Sequence, residues 1–286
     1  MPTEKRFVSK KSVAQLKKDL EKEREFVIEE LKKDIKTIET KEDLIKSAIV
    51  SVEDEELGKL IGETQWNLGQ DGRMVVEEVN EDVCSIENIN GILLDNGFAS
   101  SIMINNPKDH SLDVENGYIL LTNHQIHEYD VVNENGGIRK LIEKMISFGM
   151  RNLTIFAQAF DQKSIEVLVG LQNQGFNAYA VNAPYVNQGQ ILLDIASVTG
   201  GKAILQDNAS LDSVEISDLG QYSKMKMRIM GGIIAGSNEN TERKEKRIKE
   251  LKEELEGEQS YFAKRQLEER IAALNGKLAF LKLVLM

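Results

Sequence analysis

In residues 117–204, strand-like apolar runs take turns with amphipathic helical patterns, and no other feature restricts the possible folds as much. The run 118–121 is followed by Ile138, Leu141, Ile142 and Met145 at helical spacing. The run 153–156 is followed by Ile165, Leu168 and Val169, and the run 179–181 by Ile191, Leu192 and Ile195. Parallel strands need a crossover connection and a helix is the usual one, so this alternation argues an α/β domain with a parallel component. Gly200-Gly201 stops the last helix before a short apolar run at 203–205.

Both ends of the chain read differently. Val13, Leu16, Leu20, Phe26, Val27, Ile28, Leu31 and Ile35 recur among charges and predict a long amphipathic helix over 12–37. Thr40-Lys41-Glu42-Asp43 has the spacing of a capping box and opens a second helix, and Asp54 or a neighbour opens a third through Leu57, Leu60, Ile61 and Trp66. After Gly72 the period changes, and 74–79 and 84–92 read as β-structure. Asn96-Gly97 marks a turn, and 225–235 reads as strand. Ile248, Leu251 and Leu255, a break at Gly257, and then Leu267, Ile271 and Leu274 predict two charged helices. An apolar tail, with Leu278, Phe280, Leu281, Leu283, Val284, Leu285 and Met286, must pack internally or against another chain. An α/β block is thus inserted into a helical one, which needs two neighbouring chain crossings, and Gly91 and Gly236 are the expected hinges.

The net charge of −11 is unevenly spread: residues 51–120 hold fifteen Asp or Glu against three Lys or Arg. Such a surface does not suit a phosphate backbone, so nucleic acid is not expected as a partner. The single Cys84 excludes an internal disulfide framework and a cysteine-rich zinc module, and it fits a reducing compartment. Residues 1–11 lack the apolar core of a signal peptide, and no run of about 18 apolar residues occurs. A cytoplasmic protein without a membrane segment is expected.

Four stretches, in order and compatibly spaced, together resemble the GroEL-type group I chaperonins. Gly58-Lys59-Leu60-Ile61-Gly62-Glu63, with Val75-Val76-Glu77-Glu78, is similar to the family's G-K-L-I-x-E … V-E-D stretch. Asp194-Ile195-Ala196-Ser197-Val198-Thr199-Gly200-Gly201 is similar to its D-I-A-x-x-T-G-G element, and Asp218-Leu219-Gly220-Gln221, with Ile233-Ile234-Ala235-Gly236, to its D-L-G-Q segment and following strand. Glu269-Arg270-Ile271-Ala272-Ala273-Leu274-Asn275-Gly276 is similar to its E-R-V-A-K-L-A-G-G. The resemblance implies a chaperonin apical-type α/β domain over 91–236, inserted into a helical intermediate-type domain made of 40–90 and 237–286. An amphipathic helix over 1–39 precedes them, and most of the equatorial ATPase domain is missing.

Chemistry for nucleotide hydrolysis does not assemble. Gly201-Lys202 imitates the end of a P-loop, but no glycine-rich cradle precedes it and Ala203 stands where Ser or Thr is needed, so the pair reads as a helix stop. Matched to the family's S-D-Y-D-R segment, Tyr261 takes the position of the catalytic aspartate, and Lys277 that of a nucleotide-contacting glycine. A phenol with a pKa near ~10 is no carboxylate at neutral pH. No catalytic residue, cofactor or metal is therefore expected, and no ATP turnover. His124 and His127 with Asp130 have a spacing compatible with a metal cluster, but read more simply as a polar strand end and loop. Asp109-His110 reads as a solvated turn, and Cys84 as a buried apolar residue.

In the family, an apolar groove between two apical helices and an underlying extended segment binds non-native polypeptide and the co-chaperonin loop. The resemblance places Phe98, Ile102 and Met103 on the segment, Ile138 and Ile142 on the first helix, and Ile165 and Val169 on the second. Unfolded chains share exposed apolar side chains but no common shape, so adaptable apolar surface is a suitable receptor. Periodicity alone assigns such positions to a core; the resemblance moves Phe98, Ile102 and Ile142 to the surface and leaves Leu141, Met145 and Leu168 buried. The first reading is a non-ATPase, chaperonin-like binder of unfolded or partner polypeptides, with a co-chaperonin or full-length chaperonin subunits as further partners. The second is a structural or adaptor protein that reuses the fold in a larger, viral assembly, and a third is a fragment of a longer subunit.

Overall fold

The computed structural model describes residues 13–34, 36–69, 72–79, 84–236, 241–275 and 277–284. Expectations that fall on 1–12, on Ile35, on the 237 boundary, on Gly276 and on Leu285 and Met286 lie outside the described residues. The chain divides into two compact units, 1–63 and 64–286.

The first unit holds α1 (Val13–Asp34), α2 (Lys41–Val52) and most of α3 (Glu55–Leu68). The apolar side of α1 is open to solvent, with Leu20, Phe26 and Leu31 all exposed. Thr40 caps α2 as its spacing predicts: its hydroxyl oxygen accepts from the Asp43 amide at 3.2 Å and its hydroxyl donates to the Asp43 carboxylate at 2.7 Å. Asp54 opens α3 by accepting from the Leu57 amide at 2.7 Å. Gly58 and Gly62 stand one turn apart on α3 and face α2. A Cβ on Gly58 would lie 2.4 Å from Ile49 Cα, and one on Gly62 would lie 2.6 Å from Ile45 Cα, so only glycine permits this approach of the two helices.

The second unit is built on one nine-stranded sheet. It begins with β1 (Arg73–Val79) and β2 (Ser85–Leu94) and continues with β3 (Leu112–Thr122) and the short β4 (Gln125–Ile126). Next come α4 (Glu128–Val132), α5 (Gly137–Ser147), β5 (Asn152–Ala157), β6 (Ala159–Phe160), α6 (Gln162–Gln172), β7 (Asn177–Asn182), α7 (Gln188–Thr199) and β8 (Ala203–Ile204). The chain ends with the hairpin β9 (Gly220–Arg228) and β10 (Gly231–Gly236), then α8 (Thr241–Gly257), α9 (Tyr261–Asn275) and β11 (Lys277–Val284). The sheet order is β1-β11-β2-β10-β9-β3-β5-β7, with β8 also on β3, while β4 and β6 pair separately.

The anticipated parallel component is β3-β5-β7, with β8 parallel to β3. Leu153, Thr154, Ile155, Phe156 and Ala157 of β5 are all fully buried, the continuous pattern of a strand covered on both faces. Thr154 shares a 2.7 Å hydrogen bond with the hydroxyl of buried Tyr222, and burial pushes that phenol's pKa up. α7 packs on β3, and α8 packs on both α7 and α9.

Of the two packings open to the tail, the structure takes the internal one: β11 inserts between β1, to which it is parallel, and β2, to which it is antiparallel, and buries Ala279 and Leu281. Two particulars differ from the expectations. Asp109 is not merely solvated but receives the Lys226 ammonium at 2.5 Å, a hydrogen bond that holds its carboxyl below the ordinary range. Cys84 is half-buried rather than buried.

Candidate functional site

The first segment of the expected polypeptide-binding face lies beside β7, the edge strand of the parallel half. Residues 97–99 run antiparallel beside it: the Ala99 amide donates to the Ala180 carbonyl at 2.9 Å, and the Asn182 amide to the Gly97 carbonyl at 3.1 Å. That pairing turns Phe98 into the core. Ser100 then caps a single 3-10 turn, Ser101–Met103, which points Met103 inward and Ile102 outward. Phe98 and Met103 retain 6% and 1% of their exposure, whereas Ile102 retains 56%.

On α5, Ile138 and Ile142 share one face with Leu141 and Met145, and all four are buried. Surface-groove positions are therefore overturned for Phe98, Met103, Ile138 and Ile142. Phe98 is buried by its pairing with β7, and α5 packs against the 211–213 and 216–218 turns as well as against a helix that the sequence reading missed. Residues 128–132 form α4, which packs against both α5 and α6 and buries Val131. Ile165 and Val169, one turn apart on α6, are half-buried. What faces solvent is Ile102, together with Tyr129 and Val132 on α4, at 56% and 41% exposure.

The signal for α4 was present in the His127 to Asp130 spacing. Asp130 accepts from the His127 amide at 2.8 Å, which is a helix start and not a metal pair. His124 bonds the Ala209 carbonyl at 3.0 Å, and His127 lies 3.4 Å from Asp161. Among the described residues, no group of three or more His, Cys, Asp and Glu could hold a metal ion. Asp161 caps α6 through the Ser164 amide at 2.7 Å and also accepts from the Glu128 amide at 2.9 Å, so one carboxylate fixes α4 to α6. Burial alone would raise its pKa, but these amide bonds outweigh burial and hold it below its ordinary value.

The glycine pair after α7 behaves as a helix stop. Gly200 has φ 79° and returns its amide to the Ala196 carbonyl, while Lys202 is committed to Asp218 at 2.6 Å. Tyr261 is the first residue of α9 and is exposed. Gly91 is buried inside β2, at the point where pairing changes partner: residues 85–90 pair with β11 and 91–94 with β10. Gly236 ends β10, with a register irregularity just before it.

One ionic cluster joins the helices on this sheet. Asp194 of α7 is 2% exposed and accepts from Arg247 Nε of α8 at 2.8 Å, and from Arg270 Nε and Nη2 of α9 at 2.7 and 2.8 Å. Arg247 also reaches Gln190 Oε1 at 2.7 Å and Glu250 at 3.2 Å. Burial alone would lower the Arg247 pKa, but the Asp194 bond and charge raise it.

No protein-family model matches the chain. Among solved structures, the fold is similar to that of the chaperonin gp146 from bacteriophage EL 2 (Pseudomonas aeruginosa), solved in the presence of ATP-BeFx. The TM-score is 0.59 at 17% sequence identity, over 84% of this chain and 47% of the phage chain. This chain thus spans about half the length of that chaperonin. The α/β architecture is chaperonin-like. Among the described residues, no helix is long and apolar enough to cross a membrane.

Proposed function

We propose that this protein is a chaperonin-like polypeptide-binding protein that holds apolar segments without hydrolysing ATP. The observation that carries this reading is solvent-exposed apolar surface on a chaperonin-like α/β domain: Ile102 beside β7, and Tyr129 and Val132 on α4, next to half-buried Ile165 and Val169 of α6. Its receptor is shallower than the groove that the resemblance implies, because Phe98, Met103, Ile138 and Ile142 are buried. A shallow apolar face suits clients that share exposed side chains and no common shape.

On the same reading, the chain corresponds to the apical and intermediate portions of a GroEL-type subunit, with boundaries at 91 and 236. The change of pairing partner at Gly91 supports a mechanical boundary there. A tyrosine at position 261 and the helix-stop geometry of Gly200 support the lack of ATPase chemistry.

Light scattering of a chemically denatured model enzyme, diluted into buffer with this protein, tests the reading. Suppression of aggregation is expected without nucleotide, with no phosphate release from added ATP. The double variant Ile102→Asp with Val132→Asp should lose at least about half of the suppression; both side chains project into water, so the fold is retained. Unchanged suppression by that variant would remove the proposed face.

A further inference from the structure

A second apolar feature lies away from that face. Leu93 at the end of β2, Tyr185 and Val186 before α7, and Ile229 and Met230 between β9 and β10 line one cleft of 610 Å³. All five are exposed, and Met230 is 83% and Tyr185 76% open to water. Exposed apolar side chains scattered singly need no explanation, but five converging on a concave site mark a binding surface.

The turn makes the point sharper. Arg228 pairs with Gly231, so Ile229 and Met230 alone form the tip of a hairpin. Turn tips ordinarily carry Gly, Asn, Asp or Ser, which satisfy turn geometry and meet water. Two large apolar residues there serve neither need. They serve a contact.

The far walls are held in place before anything binds. Asn187 Nδ2 donates to Gln266 Oε1 at 2.7 Å, which ties the 184–187 loop to α9, and the Asp194 bonds tie α9 to α7. A pre-organised cleft spends little binding free energy on ordering itself. Of the acids that line it, Asp194 is held by Arg247 and Arg270 and Glu269 by Arg265 at 2.9 Å, which leaves Asp95 to set the sign of its charge.

From these observations we infer that the cleft between the β9–β10 tip, the 184–187 loop and α9 is a docking site for an extended polypeptide segment with apolar side chains next to lysine or arginine. The apolar walls receive the side chains, methionine adapts to their shape, and Asp95 selects a flanking cation. The inference does not depend on the Ile102 face and would stand if that face failed.

Fluorescence anisotropy of three labelled ten-residue peptides tests it on the full chain. One carries phenylalanine and valine flanked by lysines, one carries the same pair flanked by glutamates, and one has alanines between the lysines. Binding is expected for the first alone. Met230→Asp and Val186→Asp should each weaken it about tenfold or more, and Asp95→Lys should reduce the preference for lysine over glutamate flanks about fivefold. Both apolar residues protrude into water, and an unchanged circular dichroism spectrum establishes that these variants fold. Ile102→Asp should leave binding unchanged. Equal affinity for lysine- and glutamate-flanked peptides, no binding of any peptide, or indifference to Met230→Asp overturns the inference. So does a dimer that Met230→Asp dissociates, because the occupant is then a second copy of this chain.

Discussion

Replacing Asp194 by asparagine removes the charge on which α7, α8 and α9 converge. The wild-type carboxylate accepts three charge-assisted hydrogen bonds of 2.7–2.8 Å, and the side chains of Arg247 and Arg270 are 14% and 11% exposed. Asparagine keeps one acceptor oxygen but aims an NH₂ group at a guanidinium, leaving buried donors unmatched. Breaking one side of a buried ion pair costs about 3–5 kcal/mol. Arg247 keeps Gln190 and Glu250 as partners, so the lower end applies, about 3 kcal/mol. That is on the order of a hundredfold in the unfolding equilibrium. For a unit the size of 64–286 it corresponds to a fall in Tm of about 6–12 °C. Urea titration followed by far-ultraviolet circular dichroism measures the loss. The triple replacement Asp194→Leu, Arg247→Met and Arg270→Met should be less destabilised than Asp194→Asn, because it strands no charge. A loss below about 1 kcal/mol for Asp194→Asn would refute the claim that the carboxylate neutralises two buried guanidiniums.

Two other perturbations test separate parts of the molecule. Gly62→Ala places a methyl group 2.6 Å from Ile45 Cα and should destabilise the first unit by about 1–3 kcal/mol, read as a lower thermal midpoint, whereas a neutral effect would mean that α2 and α3 do not meet as described. Asp109, Asp161 and Asp218 all have pKa values lowered in the folded chain. For Asp109 the main cause is the Lys226 bond; for Asp161 and Asp218 burial pulls upward, and hydrogen bonds to backbone amides, with Lys202 in the case of Asp218, outweigh it. Their stabilisation is fully present above the unfolded carboxylate value, near pH ~4, and is lost as the pH falls through the lower folded values. Urea midpoints should therefore be flat from about pH 7 to 5 and fall steeply below about 4, with a shallower fall in Asp161→Asn; an equally steep fall in that variant would remove Asp161 from the account.

The α/β half was legible because its signals are local. A crossover helix of about three turns shows its period within one window, and Gly200 and Asn96-Gly97 mark stops by backbone chemistry that needs no distant partner. The role of the tail was not legible for the opposite reason. Residues 277–284 find their partners some two hundred positions away, in β1 and β2, and an apolar run carries no record of which strands will flank it. The hairpin of β9 and β10 read as one run because its turn residues, Ile229 and Met230, lack turn chemistry.

The site shows the same division more sharply. Ile138 and Ile142 stand one turn apart, which fixes that they share a face of α5 but not what that face meets. Part of the answer lay in α4, a five-residue helix packed against α5 and marked by a capping aspartate, and His127 and Asp130 at metal-like spacing offered a competing reading of the same residues. Each large aliphatic side chain on the inner face of α5 gains about 1.5–3 kcal/mol by burial, and an open groove would forfeit that gain along its whole length. Near these positions exposed apolar side chains sit on short elements, as Tyr129 and Val132 do on α4 and Ile102 on the 101–103 turn.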